Sequence, residues 1–289
     1  MPETVFVLGG GANLGATQVG MLRALLERGI RPDAVVGCSV GAINGAVFAC
    51  DPTADGVERL ETLWRNLDGG TICPPGRLNA LWLMTRRYRA LENNDGLRRL
   101  LERHIGGARF EDCSVPLHVV ATSMTSGGEH WFSTGPLVPP LLASAAIPAV
   151  FPPVIIDNEA FIDGAVVNNV PISQAYALGA KRVVVLHVGN FSRPRRPPRR
   201  PIEALIQSFS IARNHRFELE SSRPPTGAQL LVLPAVDPGA DLGYHDFSRA
   251  HVLIERAYRL AADFLSAESV PASGDQPTTG ASAHNLSRS

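Results

Sequence analysis

Ala34-Val35-Val36-Gly37-Cys38-Ser39-Val40-Gly41-Ala42-Ile43-Asn44-Gly45-Ala46 is the stretch that decides the fold. A short apolar run reads as a buried strand, and a run of small residues after the serine reads as a helix packed close to its neighbours. Between them stands G-x-S-x-G. A serine at so sharp a strand-to-helix reversal needs Gly37 and Gly41 on either side, because a side chain two positions away would strike the adjoining strand or helix. The reversal pushes the hydroxyl out at the end of the sheet. There it faces the positive end of the following helix, which favours negative charge developing in acyl transfer.

Leu8-Gly9-Gly10-Gly11-Ala12-Asn13-Leu14-Gly15 follows the apolar run Thr4-Val5-Phe6-Val7-Leu8. It opens a helix with apolar positions at Val19, Leu22, Leu25 and Leu26, which Gly29 is placed to end. Strand, glycine loop and helix start together form an anion site of bare N–H groups. A dinucleotide-binding fold would put a pyrophosphate there and an acidic residue at the end of the second strand. Here that strand ends in Val36-Gly37-Cys38, so the loop reads as an oxyanion hole. Further on, Asp163-Gly164-Ala165 follows Ala160-Phe161-Ile162, the return strand of a hairpin turning at Asp157-Asn158-Glu159. The Asp163 carboxylate either takes the proton of Ser39 or caps its own turn or the helix expected near Pro171.

With these residues in view, the chain resembles the patatin-like phospholipases. They share a glycine-rich loop near the N-terminus, a G-x-S-x-G serine on the next strand, and a later D-G-A or D-G-G aspartate. The flanks Ala143-Ser144-Ala145-Ala146-Ile147-Pro148-Ala149-Val150-Phe151-Pro152-Pro153 and Val166-Val167-Asn168-Asn169-Val170-Pro171 are also similar. The resemblance runs from about Val5 to about Val188. It implies a three-layer α/β/α patatin-like fold with a central, mainly parallel sheet. It implies Ser39 as nucleophile, Asp163 as base, backbone N–H groups of Gly10, Gly11 and Ala12 as oxyanion hole, and an acyl-serine intermediate. It implies no catalytic histidine, metal or cofactor. The motif glycines are Gly15, Gly37, Gly41 and Gly164, with Ala165 after the last.

One departure stands out. The family pattern is G-G-G-x-(Arg or Lys)-G, and counting back from Gly15 puts Ala12 at the third glycine and Leu14 at the basic residue. The other register keeps Gly9-Gly10-Gly11 and inserts one residue. Either way the N–H donors survive, and the missing cation bears on head-group preference. An Ala12 at positive φ would be strained.

A histidine triad in the order Ser, Asp, His would call on His245 or His251. That fold needs several strands before its nucleophile, and only one precedes the strand carrying Ser39. His251 is expected as a partly buried residue of the last helix, and His187 as a hydrogen-bonded strand end.

At 289 residues and 45% hydrophobic content, the chain can bury a large core. The zero formal charge calls for no nucleic acid. No run nears the roughly 20 apolar residues of a membrane span, and the N-terminus lacks the charged start of a signal peptide. Cys38, Cys50, Cys73 and Cys113 have no metal-ligand spacing and need not pair, which suits a soluble cytoplasmic enzyme. Cys38 reads as a small buried neighbour of the nucleophile whose thiol would be open to oxidation.

The strands expected are Val5 to Leu8, Ala34 to Gly37, Leu117 to Ser123, His130 to Ser133, Val154 to Ile156, Ala160 to Ile162, Arg182 to Val188 and Gln229 to Leu233. Helices follow the first two strands, and others span Gly56 to Leu67, Asn94 to Ile105, Ile202 to Ser221 and Phe247 to Leu265. Alternating strands and helices predict a layered α/β/α domain over residues 1–265. The Ser-, Ala-, Gly-, Pro- and Thr-rich residues 266–289 are expected as a disordered tail.

Asn79-Ala80-Leu81-Trp82-Leu83-Met84 with Arg86-Arg87-Tyr88-Arg89 reads as a core helix with a basic end, or as a lid touching anionic lipid. Arg193-Pro194-Arg195-Arg196-Pro197-Pro198-Arg199-Arg200-Pro201 reads as an extended connector or a peripheral contact with an anionic membrane. Three functions follow. The leading one is a hydrolase of lipid or long-chain esters. The others are a catalytically silent lipid-binding protein of the same fold, and a hydrolase of small esters or thioesters.

Overall fold

The computed structural model describes residues 1–67, 94–148, 150–189, 197–198, 201–237 and 246–268. The Asn79–Arg89 segment, most of the Arg193–Arg200 run, His245, Cys73 and residues 269–289 lie outside them.

All eight expected strands form, as β1 (Thr4–Leu8), β2 (Ala34–Cys38), β3 (Leu117–Ser123), β4 (Glu129–Phe132), β5 (Val154–Ile156), β6 (Glu159–Asp163), β7 (Arg182–Leu186) and β8 (Gln229–Val232). The helices are α1 (Ala16–Glu27), α2 (Val40–Cys50), α3 (Ala54–Arg65), α4 (Asp95–Ile105), α5 (Val138–Ser144), α6 (Ile172–Ala177), α7 (Pro201–Ser221) and α8 (Ala250–Ala267). The last helix runs two residues past the expected domain edge at residue 265. Gly29 ends α1 as expected. At φ 71 it lets its own N–H reach Leu26 O and that of Ile30 reach Leu25 O.

The sheet is mixed and follows the path β5-β6-β3-β2-β1-β7-β8, with β4 also on β3. Strands β3, β2, β1, β7 and β8 are parallel, whereas β4, β5 and β6 join as antiparallel members of hairpins. The β5–β6 hairpin turns at Asp157 and Asn158, at φ 49 and 65, the paired left-handed geometry suited to two-residue hairpins.

Parallel strands buried on both faces feed two cores. Phe6 and Leu8 of β1, with Val184 and Leu186 of β7, face the layer of α1, α2, α3 and α8. Val5 and Val7, with Val183 and Val185, face the opposite layer, where Ile172 and Ala175 of α6 and Phe217 of α7 pack. This is the period-two alternation of a pleated strand, with helices on both sides of the sheet. Helices α1 and α8 meet backbone to backbone: a Cβ on Gly20 would lie 2.1 Å from Ile254 O.

Register places the chemistry. Cys38, the last residue of β2, pairs with Val120 of β3. Asp163, the last residue of β6, pairs with the next residue of β3, Ala121. Strand β4 pairs with Val119 through Thr122 and fills the other edge. Strands β2 and β6 therefore share one edge of β3, end to end, and Ser39 emerges facing Asp163.

One expectation needs correcting, and one contact was not foreseen. The α5 helix was not among those expected; it opens on Pro139-Pro140, and proline fits a first helical turn, where its missing N–H has no partner to lose. Cys50 and Cys113, both free, meet with sulfurs 2.7 Å apart and join the end of α2 to the segment before β3.

Candidate active site

Ser39 stands between β2 and α2 with φ 53 and ψ −125, a backbone conformation that costs a side-chain-bearing residue about 1–3 kcal/mol. The neighbouring glycines are required by space. A Cβ on Gly37 would lie 2.5 Å from Ala42 Cα, and one on Gly41 would lie 2.2 Å from Leu8 O. Ser39 N–H donates to Ser144 Oγ at 2.8 Å, while Ser39 O accepts from the Ala42 and Ile43 N–H groups and so starts α2. Ser144, at the end of the unexpected α5, is a positioning residue that sequence reasoning passed over. The residue quoted as a flank supports the Ser39 turn from a helix 105 residues further along the chain.

Ser39 Oγ donates to Asp163 Oδ2 at 2.8 Å. Asp163 Oδ1 accepts from Ala165 N–H at 2.7 Å, so the carboxylate both caps its turn and faces the serine. Thr122 Oγ donates to Asp163 O, and Asp163 N–H donates to Ala146 O, which fixes the backbone on both sides. Gly164 is needed because a Cβ there would lie 2.5 Å from Val120 O. Asp163 is 3% exposed. Burial lifts its pKa from 3.8 to about 6, against the opposing effects of the Ala165 N–H, the Ser39 hydroxyl and Arg213.

The glycine loop lies against this pair. A Cβ on Gly10 would stand 3.1 Å from Ser39 Cβ and 2.7 Å from Asn169 Oδ1, and one on Gly11 would stand 1.9 Å from Val188 Cγ2. Gly10 departs from the expectation that it donates to an oxyanion. Its N–H donates to Asn169 O at 3.0 Å, and Asn169 Nδ2 donates back to Gly10 O at 3.2 Å. Ala12 adopts φ 50, the strained alternative foreseen for it. Gly15 lets α1 approach α2, since a Cβ there would lie 2.4 Å from Val40 Cγ2 and 2.9 Å from Trp64 Cζ2.

Beneath the loop runs a buried polar chain that the sequence did not announce. Trp64 Nε1 donates to Asn44 Oδ1, and Asn44 Nδ2 donates to Gln18 Oε1 and Gly15 O. Gln18 Nε2 in turn donates to Gly9 O and Leu186 O. It satisfies Gly9 O, just past β1, and gives Leu186 O at the end of β7 a second donor beside the Gly9 N–H.

The patatin-like phospholipase family profile matches residues 6–176. The chain belongs to the patatin-like phospholipase family. It is 31% identical over 186 residues to patatin-like phospholipase domain-containing protein ZK370.4 of Caenorhabditis elegans, covering 64% of this chain and 13% of the relative. It is 25% identical over 289 residues to lysophospholipase nte1 of Aspergillus terreus, covering 90% of this chain and 18% of the relative. The chain thus spans less than a fifth of the length of these two relatives. Among solved structures, VipD from Legionella pneumophila aligns with TM-score 0.48 and 14% identity, over 92% of this chain and 67% of VipD.

Other residues of this patatin-like domain stand apart from the Ser39–Asp163 pair. His251 is exposed on α8, so the expected partial burial is not met. His187 follows β7, tilted on the Phe217 ring at 5.3 Å, and burial lowers its pKa to about 4. Cys38 is fully buried, and desolvation together with Asp163 drives its thiol pKa well up, which holds it protonated against the oxidation expected of it. Among the described residues no helix is long and apolar enough to cross a membrane, and no cluster of metal-ligating residues forms. A surface cavity of about 620 Å³ between α1 and α3 is lined by Arg23, Glu27, Glu61 and Arg65, and none of its lining residues belongs to the site.

Proposed function

We propose that this chain is a serine lipid acyl hydrolase acting through a Ser39–Asp163 dyad. The observation that carries the reading is the 2.8 Å hydrogen bond from Ser39 Oγ to Asp163 Oδ2, at buried strand ends beside a glycine loop. Asp163 takes the Ser39 proton as Oγ attacks the ester carbonyl carbon. The oxyanion is held by the N–H groups of Gly11 and Ala12, with the first turn of α2 adding its dipole. Asp163 then returns the proton to the leaving alcohol, and the acyl group stays on Ser39. In the second half Asp163 deprotonates a water that attacks the acyl-serine carbonyl, the acyl C–Oγ bond breaks as Asp163 returns the proton to Ser39 Oγ, and the fatty acid leaves. The scheme calls for no metal or cofactor. A lysophospholipase among the relatives supports a lipid ester as substrate.

The test is hydrolysis of p-nitrophenyl acyl esters of increasing chain length, with Ser39→Ala as control. Turnover that disappears with Ser39 and rises with chain length is expected. Folded protein with no Ser39-dependent turnover at any length would overturn the hydrolase reading in favour of a silent lipid-binding member of the fold.

A further inference from the structure

Helix α7 lies over the site. On one face it carries Arg213, Arg216, Phe217 and Glu220, at the i, i+3, i+4, i+7 spacing that makes a single stripe. Three of the four are engaged with the body of the domain. Arg216 donates to Val167 O, just past the Asp163 turn, and to Glu129 and Glu220. Phe217 packs on His187 at the end of β7. Glu220 accepts from Ser173 N–H at the start of α6. The stripe therefore faces the ends of the strands that bear the dyad, and Arg213 continues it by one turn.

Arg213 differs from Arg216 in having no salt bridge with a carboxylate among the described residues. Its Nε is buried and makes no hydrogen bond. A planar guanidinium with unused donors, on the helix face turned toward Ser39, the Asp163 carboxyl and the loop amides, suits an oxyanion with several acceptor atoms. The glycine loop supplies no competing cation, because Leu14, half-buried, stands where the family pattern has Arg or Lys.

We infer that Arg213 is a specificity residue that binds the phosphate of a phosphate-bearing acyl ester while its ester carbonyl lies at Ser39. This inference rests on the hydrolase reading above. Its electrostatic reach to the dyad is seen in the downward pull of Arg213 on Asp163. A residue serving only to keep Asp163 ionised would act alike on every substrate, whereas a phosphate ligand discriminates between substrates.

The experiment compares a lysophospholipid with the monoacylglycerol of the same acyl chain, in the same neutral detergent, for wild type, Arg213→Gln and Arg213→Lys. Rates are read near pH 9, where a carboxyl raised by the loss of Arg213 is still ionised. The ratio of kcat/KM for the phosphate-bearing substrate to that for the neutral one should fall roughly 10–100-fold in Arg213→Gln, as expected for a lost charged hydrogen bond, and recover in part in Arg213→Lys. A ratio that stays at the wild-type value would overturn the assignment and leave Arg213 as electrostatic support for Asp163. Failure of the hydrolase reading looks different, since wild type then turns over neither substrate. Equilibrium binding of the lysophospholipid to folded Ser39→Ala and to Ser39→Ala/Arg213→Gln decides the assignment in that case: weaker binding without Arg213 supports it, and equal binding refutes it.

Discussion

Asp163 is an acid that folding makes weaker, and the sign of that shift has two readable effects. Its folded pKa of about 6 lies above the ordinary 3.8, so burial disfavours the ionised form. The associated stability is fully present below about pH 4 and is lost as pH rises through about 6, amounting to about 3 kcal/mol at most. Asp163→Asn should therefore unfold at higher temperature than wild type at pH 8, with the advantage fading toward pH 4, while turnover falls ~10²–10⁴-fold. Calorimetry across that range checks the first part, and wild-type turnover should show an acid limb near pH 6. An Asn variant less stable than wild type at pH 8 would mean that the lost second acceptor, the partner of Ala165 N–H, outweighs the relief from burial. Ala12, at φ 50, makes a separate case. Ala12→Gly should raise stability by about 1 kcal/mol in urea unfolding, because the strain is removed and only chain entropy opposes the gain. Activity should persist, since a glycine N–H donates as well as an alanine N–H.

The chain from Trp64 through Asn44 to Gln18 is where α1, α2 and α3 are tied to the ends of β1 and β7. Gln18→Leu strips Gly9 O of its donor and Asn44 Nδ2 of one acceptor, while Leu186 O keeps its bond from Gly9 N–H. Each orphaned group costs about 1–3 kcal/mol, so a loss of at least about 2 kcal/mol in urea unfolding is expected, with poorer turnover from a displaced Gly9–Gly10 loop. Strand positions were legible because apolar runs such as Val183-Val184-Val185 are bounded by turn residues. The meeting of Ser39 and Asp163 was legible because Gly37, Gly41 and Gly164 mark places where the backbone admits no side chain. Gln18 and Asn44 were not, since a polar residue inside an apolar helix carries no mark of the carbonyl it will meet. Ser144 was hidden behind Pro139-Pro140. Arg213 depends on the docking of a helix far along the chain, which no local pattern encodes.

At the scale of the molecule, Ser39 and Asp163 are spaced by a strand to which neither belongs. Because β2 and β6 pair with consecutive residues on one edge of β3, an extra residue placed between Leu117 and Val120 should abolish turnover even where circular dichroism reports a retained fold. An extra residue beside Gly127, whose surroundings are open, should leave turnover within about twofold, because that turn lies beyond the pairings with β2. The five parallel strands close their ladder without the hairpin that brings the carboxylate. Foldability and catalysis are in this way inherited on separate pieces of sequence. A lineage could mutate the hairpin, lose the Asp163 carboxylate, and still pass on an intact scaffold with its glycine loop and its arginine in place.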